Sequence, residues 1–148
     1  MVLWSRRQDL ADEINKTSRN GDYLPGVDLP ETLTATSDPQ AALANATQVY
    51  IAIPSQSLRE TLGQWKELIP KSATVISLMK GLEQSTGARM SEVIHQATNV
   101  PASQIAVLSG PNLALEIARR DPAAAVCACE DQDRAIEVAQ VCSNQYFT

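Results

Sequence analysis

An α/β fold, with a mostly parallel sheet and helices on both faces, is what this 148-residue sequence predicts. Three observations carry that expectation. Short apolar runs alternate with amphipathic helical patterns from end to end. The runs at 49–53 and 105–108 are apolar without alternation, as strands buried on both faces are. The connections between runs are long enough for helical crossovers, which parallel pairing needs.

The elements follow in order. Val2-Leu3-Trp4 reads as a strand and Gln8 to Lys16 as a helix, with Leu10 and Ile14 four apart on one face. Residues 17–31 read as a loop, punctuated by Asn20-Gly21, Tyr23-Leu24-Pro25-Gly26 and Leu29-Pro30. Leu33 to Ala35 is a short strand. Asp38 is placed to cap a helix that has Pro39 at its first position and runs to about Asn45. Val49 to Ile53 is the clearest buried strand, and Pro54 stops it. Ser57 and Glu60 then have capping-box spacing, and Leu58, Leu62, Trp65 and Ile69 form an apolar stripe.

Thr74 to Leu78 is a β-branched strand. A helix from about Ala88 gathers Met90, Val93, Ile94 and Ala97 on one face. Ile105 to Leu108 reads as a strand, Leu113 to Arg119 as a helix, and Ala123 to Cys129 as a strand. Asp131 opens a last helix in which Ala135, Val138, Ala139 and Cys142 share a face. Tyr146-Phe147 reads as the start of a further strand.

Composition narrows the function. The chain is 44% hydrophobic and 20% charged, with a net charge of -5. That balance offers no general attraction to nucleic acid or an anionic membrane, so any phosphate site must be local. No apolar run approaches the roughly 20 residues that span a bilayer. The opening MVLWSRRQDL turns charged too early for a secretion signal. Cys127, Cys129 and Cys142 have neither disulfide-framework nor metal spacing and read as small buried thiols of a reduced, cytoplasmic protein. The sequons at Asn15 and Asn45 are then accidents of composition.

Ligands of open parallel sheets bind at the carboxyl ends of strands. Here those ends carry Ser5-Arg6-Arg7, Pro54-Ser55-Gln56, Lys80-Gly81 and Ser109-Gly110-Pro111-Asn112. Neither a G-x-G-x-x-G nor a G-x-x-x-x-G-K-S/T loop is present. In dinucleotide-binding domains the residue after the second strand meets the adenosine ribose, an arginine suiting a 2′-phosphate. Trp4-Ser5-Arg6-Arg7 therefore reads as the end of a second strand, making the fold Rossmann-like and incomplete at its amino end. Arg6 and Arg7 fit a solvated helix start as well.

Lys80 fits either a snorkelling surface lysine or a fixed charge in a cleft. Gly110 and Asn112 fit close backbone approach to a ligand and an amide at a helix amino terminus, or an ordinary capped turn. Pro54 and Ser55 read as a wall, and His95 as a surface residue. Glu83 and Glu116 read as solvated helix or turn positions as readily as site carboxylates.

Taken together, five segments resemble bacterial NAD(P)-dependent glycerol-3-phosphate dehydrogenase. They are Leu3-Trp4-Ser5-Arg6-Arg7, Tyr23-Leu24-Pro25-Gly26 through Leu29-Pro30, Ile53-Pro54-Ser55-Gln56, Lys80-Gly81-Leu82-Glu83, and Ser109-Gly110-Pro111-Asn112-Leu113-Ala114. The resemblance implies that residues 1–148 are a partial NAD(P)-binding domain. It implies a preceding strand and glycine-rich loop and a following helical domain carrying the proton-transfer lysine, so no catalytic residue and no metal ligand is assigned here. Isolated residues 1–148 are accordingly expected to be inactive and aggregation-prone.

By the same resemblance Arg6, Arg7 and Tyr23 contact the adenosine end of the cofactor. Lys80 touches both nicotinamide region and substrate, Gly110 and Asn112 touch substrate, and Ala114 touches cofactor. Relatives often carry serine or threonine where Asn112 stands. The implied reaction interconverts dihydroxyacetone phosphate and sn-glycerol 3-phosphate with NAD or NADP, NADPH being favoured, and feeds glycerophospholipid synthesis. A small phosphorylated substrate is the expected partner, without nucleic acid and with room for a homo-oligomer of the full-length protein. A β-hydroxyacid or 6-phosphogluconate-type dehydrogenase and a non-catalytic nucleotide-binding domain are the competing readings.

Overall fold

Strand β1 (Val2–Trp4) pairs in parallel with β2 (Thr34–Thr36), with Leu3 opposite Ala35. A computed structural model describes residues 1–148, which divide into the units Met1–Ala44 and Asn45–Thr148. In the first unit, α1 (Gln8–Thr17) lays Leu10, Ala11 and Ile14 on Ala35, and Leu29 and Leu33 close the cluster. This is the face that the four-residue spacing of Leu10 and Ile14 predicts. Asn15 fixes the strand from the side: its amide donates to the Ala35 carbonyl at 2.8 Å and accepts the Ala35 N–H at 2.7 Å. Helix α2 (Pro39–Leu43) starts as expected, with the Asp38 carboxylate accepting from Gln40 N at 2.9 Å.

The second unit is a four-stranded sheet in the order β3 (Gln48–Ile51), β4 (Thr74–Ser77), β5 (Ile105–Ser109) and β6 (Val126–Cys129). The first three are parallel, with Tyr50 opposite Ile76 and Ile76 opposite Ala106. All four residues of β4 are buried, as a central strand covered on both faces requires. On one face Ile76 and Ala106 meet Val138 of α6 (Gln132–Cys142), with Leu108 and the three cysteines around them. Alternation turns Val75 and Ile105 to the other face, and α4 (Met90–Thr98) packs on β5. Helix α3 (Leu58–Trp65) packs on α4, burying Leu58 and Leu62.

Several local expectations shift. The strand expected at 123–129 is shorter and runs antiparallel to β5. The only helix between them, α5 (Ala114–Ala118), has five residues and buries none, so it makes no crossover over the sheet and the chain returns along the β5 edge. Ser57 makes no side-chain cap: a 3₁₀ turn at Ser55–Ser57 runs into α3 and leaves Ser57 helical at φ -93, ψ -6, whereas a cap needs extended backbone. Helix α3 ends at Trp65, and Ile69 reaches the core from the turn beyond it. The cysteines are half-buried rather than buried, and burial pushes the Cys127 thiol up. The expected strand start at Tyr146-Phe147 forms a parallel bridge from Phe147 to Ala123.

Candidate functional site

At the carboxyl end of β1 the chain turns sharply into α1. Ser5 N still pairs with the Thr36 carbonyl at 2.9 Å, and Ser5 Oγ accepts from Arg7 N at 3.2 Å. The two arginines that follow differ. Arg7 is held between two carboxylates: its guanidinium donates to Asp9 at 2.9 and 3.1 Å and to Asp22 at 2.8 Å. Those contacts, Asp9 first, push its pKa up and hold Asp9 down. Arg6 is exposed and forms no ion pair. The Arg7–Asp22 bond ties the loop to this strand end and so brings along Tyr23, a residue 70% exposed whose N–H is fixed by Asn20 Oδ1 at 3.1 Å. The open guanidinium of Arg6 suits an anionic group, and an exposed aromatic ring suits a flat base.

In the second unit the ends of β3, β4 and β5 converge. Lys80, three residues past β4, sends its ammonium to the Gly110 carbonyl at 2.8 Å. The same carbonyl accepts Asn112 N at 2.8 Å, which makes a tight turn at the end of β5. An ammonium has three donors, so two remain for a ligand. Gly110 is glycine for a reason other than the expected one. A Cβ there would overlap the Ala124 carbonyl oxygen and lie 3.0 Å from Ala125 Cα. The close approach is to the chain's own backbone. The Asn112 carboxamide does not cap α5 either, since Leu113 holds that position and makes no side-chain cap bond. Instead Asn112 Oδ1 is buried without a hydrogen-bond partner. A buried acceptor left unpaired is costly, so this oxygen is an exception among buried polar groups. Ala114 is exposed at the first position of α5, where helical amides have no internal partner. Ser55, Gln56 and Arg59 also converge here; the first two lie in a strand-end run that the sequence singles out, and Arg59 is the one that sequence reasoning missed.

Glu83 corrects an expectation. It is not solvated: only 7% exposed, it accepts from Arg59 at 2.8 Å through both oxygens and from Thr86 Oγ1 at 2.5 Å. Arg59, then Thr86, hold its pKa down to about 2. A depressed carboxylate contributes stability above its ordinary value of 4.5, and that contribution is lost as pH falls from there towards 2. Glu83→Gln, which cannot ionise, is expected to lower Tm at neutral pH and to flatten the acid limb of Tm against pH in that window. An acid limb unchanged by the substitution would contradict the pairing.

His95 is exposed, as expected, with Nδ1 against the Val100 carbonyl at 2.8 Å. It lines a cavity of about 410 Å³ with Arg89, Glu92, Ile105 and Cys129, at the opposite end of β5 from Gly110. Glu116 is exposed on α5. No helix is long and apolar enough to cross a membrane.

Parallel strands with helical crossovers and a cluster of polar groups at their carboxyl ends are the architecture of the α/β nucleotide-binding class, whose ligands sit at that edge. The chain belongs to the family described as the NAD-dependent glycerol-3-phosphate dehydrogenase N-terminus, whose model matches residues 1–135. It is 51% identical over 145 residues to glycerol-3-phosphate dehydrogenase (NAD(P)+) of Corynebacterium kroppenstedtii, covering 98% of this chain and 44% of that protein. The crystal structure of glycerol-3-phosphate dehydrogenase from Coxiella burnetii superposes with a TM-score of 0.89 at 32% identity, over 99% of this chain and 44% of that one. The Plasmodium falciparum glycerol-3-phosphate dehydrogenase structure gives 0.91 at 30%, over 99% and 42%. The chain thus spans under half the length of the relatives it matches. Family membership excludes the β-hydroxyacid and 6-phosphogluconate-type alternative.

Proposed function

We propose that the protein containing this chain reduces dihydroxyacetone phosphate to sn-glycerol 3-phosphate with a nicotinamide cofactor, in the cytoplasm, and so supplies glycerophospholipid synthesis. The observation that carries the reading is the Lys80 ammonium moored on the Gly110 carbonyl with donors to spare, in the turn that also holds the unpaired Asn112 oxygen. Those groups fit a polar, anionic substrate at the carboxyl ends of a parallel sheet. The cofactor supplies the hydride.

The residues of the chain bind and orient. Lys80 offers positive charge where charge builds on the substrate oxygen, and touches the nicotinamide side as well. Gly110 sets the turn that carries the Lys80 acceptor, and Asn112 accepts a substrate hydroxyl or donates from its amide. Ala114 presents the first-turn amides of α5 to the cofactor. In the first unit Arg6 carries the free charge for the adenosine end, Arg7 buttresses it through Asp9 and Asp22, and Tyr23 supplies a flat surface. The open Arg6 charge favours NADPH over NADH. Residues 1–148 hold no proton donor for the reaction in this reading, and act as part of an NAD(P)-binding domain.

The test is turnover by the full-length protein with each cofactor. Loss of nicotinamide absorbance on adding dihydroxyacetone phosphate is expected with both, with the larger kcat/KM for NADPH. Arg6→Ala is expected to reduce that preference. No turnover with either cofactor would end the proposal, and an NADH preference would end the role given to Arg6.

A further inference from the structure

We infer that Gln56 is a positioning residue for Lys80: its side-chain amide takes the place of a neighbouring strand along residues 82–84 and fixes the backbone from which the lysine reaches Gly110. The inference rests on the assignment of Lys80 to the site.

Leu78 N still pairs with the Ile51 carbonyl of β3 at 3.0 Å; beyond it the segment 79–84 leaves the sheet, and its backbone groups need partners from elsewhere. On one edge they find residues 88 and 89. Glu83 N donates to the Ala88 carbonyl at 2.9 Å, and Leu82 forms an antiparallel bridge with Arg89. On the other edge there is no strand. Gln56 stands there instead. Its Nε2 donates to the Leu82 carbonyl at 3.0 Å, and its Oε1 accepts from Gln84 N at 3.0 Å. The carbonyl of one residue and the N–H of the residue two further on are the pair that a single residue of a parallel neighbour engages. The carboxamide, with one donor side and one acceptor side, reproduces that pattern.

Two further contacts from the same connection hold the flanks. Ser55 Oγ donates to the carbonyl of Lys80 itself at 3.0 Å. Arg59 grips Glu83 through both carboxylate oxygens and reaches Gln96 Oε1 at 2.8 Å. Gly81, at φ +105, is the one residue of the strip in the left-handed region, and it allows the bend that separates Lys80 from the clamped part. The strip is therefore fixed at Leu78 before Lys80, at the Lys80 carbonyl, and at 82–84 after it, although Lys80 and Gln56 are both exposed. Without Gln56 the 82–84 edge is open on one side, and the Lys80 ammonium loses its defined approach to Gly110.

Only a side chain with both donor and acceptor serves. Gln56→Glu keeps shape and acceptor, and replaces the donor with a carboxylate oxygen facing the Leu82 carbonyl. Because Gln56 is exposed and outside the core, Tm is expected to stay within a few degrees. In the full-length protein kcat is expected to fall roughly 10- to 100-fold, the scale of a site displaced by about an ångström, with a smaller change in KM. A second readout needs no turnover: acylation of Lys80 by an N-hydroxysuccinimide ester, followed by peptide mass, is expected to speed up several-fold as the ammonium leaves its acceptor.

Lys80→Met separates the outcomes. If Lys80→Met abolishes turnover while Gln56→Glu leaves kcat and Lys80 acylation unchanged, the positioning role is refuted and the site assignment stands. If Lys80→Met leaves turnover intact, the site assignment fails, and the acylation rate alone decides whether Gln56 places the lysine. Gln56→Ala covers the case in which Gln56→Glu does not fold. A fall in Tm with kcat and acylation unchanged in that variant would reduce Gln56 to a structural residue and overturn the inference.

Discussion

Replacing Lys80 with methionine is expected to lower kcat/KM for dihydroxyacetone phosphate by roughly 100- to 1,000-fold, the scale seen when one preorganised donor to a developing oxyanion is removed. Methionine keeps the length of the stem and deletes the charge. Lys80 is exposed, and its ammonium bonds to the Gly110 carbonyl, which retains Asn112 N as a donor. Tm is therefore expected to be unchanged, and circular dichroism melting of the two proteins checks it. Lys80→Arg is expected to recover only part of the loss, because the planar guanidinium is longer and cannot place a compact charge at the same point. Full activity in Lys80→Met would remove this lysine from the site.

Gly110→Ala is the second large effect, and it acts on both fold and site. A methyl group here overlaps the Ala124 carbonyl oxygen and stands 3.0 Å from Ala125 Cα and 3.2 Å from Asn112 Nδ2. Two of the three neighbours are backbone, so no rotamer change relieves the contact. Overpacking against backbone is expected to cost about 2–3 kcal/mol, a fall in Tm of roughly 5–10 °C for a chain of this size. The pair Ser109–Val126 closes the β5–β6 ladder next to it, so the strain spreads to the strand end. The Gly110 carbonyl also moves, and Lys80 and Asn112 N both depend on it. Activity is expected to fall even at temperatures where the variant is folded. Gly63→Ala is the control. Gly63 lies inside α3 with nothing within 4 Å of a new Cβ, so the change is expected to stabilise by about 0.5–1 kcal/mol. Differential scanning calorimetry of the two variants checks both signs.

What the sequence discloses here is what local physics controls. The strands at 2–4, 74–77 and 105–109, the α1 face with Leu10 and Ile14, and the Asp38 and Asp131 caps are all readable, because periodicity and capping act within a few residues. The direction of β6 is not. It depends on whether the 110–125 connection can cover the sheet, and a five-residue helix cannot. The capping-box spacing of Ser57 and Glu60 misleads, because the chain enters α3 through a 3₁₀ turn and never adopts the extended cap backbone.

The candidate site divides the same way. Lys80, Gly110 and Asn112 stand out through their place at strand ends, and the structure brings them together. Gln56 stands out only as part of the strand-end run 54–56, without a role, and Arg59 does not stand out at all. Their partners lie 24 to 37 residues away, so the bonds they make are not written in the local pattern. Glu83 looks like a solvated turn residue until Arg59 is seen beside it. Arg6 and Arg7 look equivalent, and the two aspartates around Arg7 distinguish them.

The most direct test of the account follows the hydrogen. Full-length protein is incubated with dihydroxyacetone phosphate and NADPH carrying deuterium at the transferable position of the nicotinamide, and the product is analysed by mass spectrometry and proton NMR. The account predicts glycerol 3-phosphate with one deuterium, at carbon 2, formed by the unmodified protein and sharply reduced in Lys80→Met. Glycerol 3-phosphate without the label, or none at all from a folded full-length protein, would contradict it.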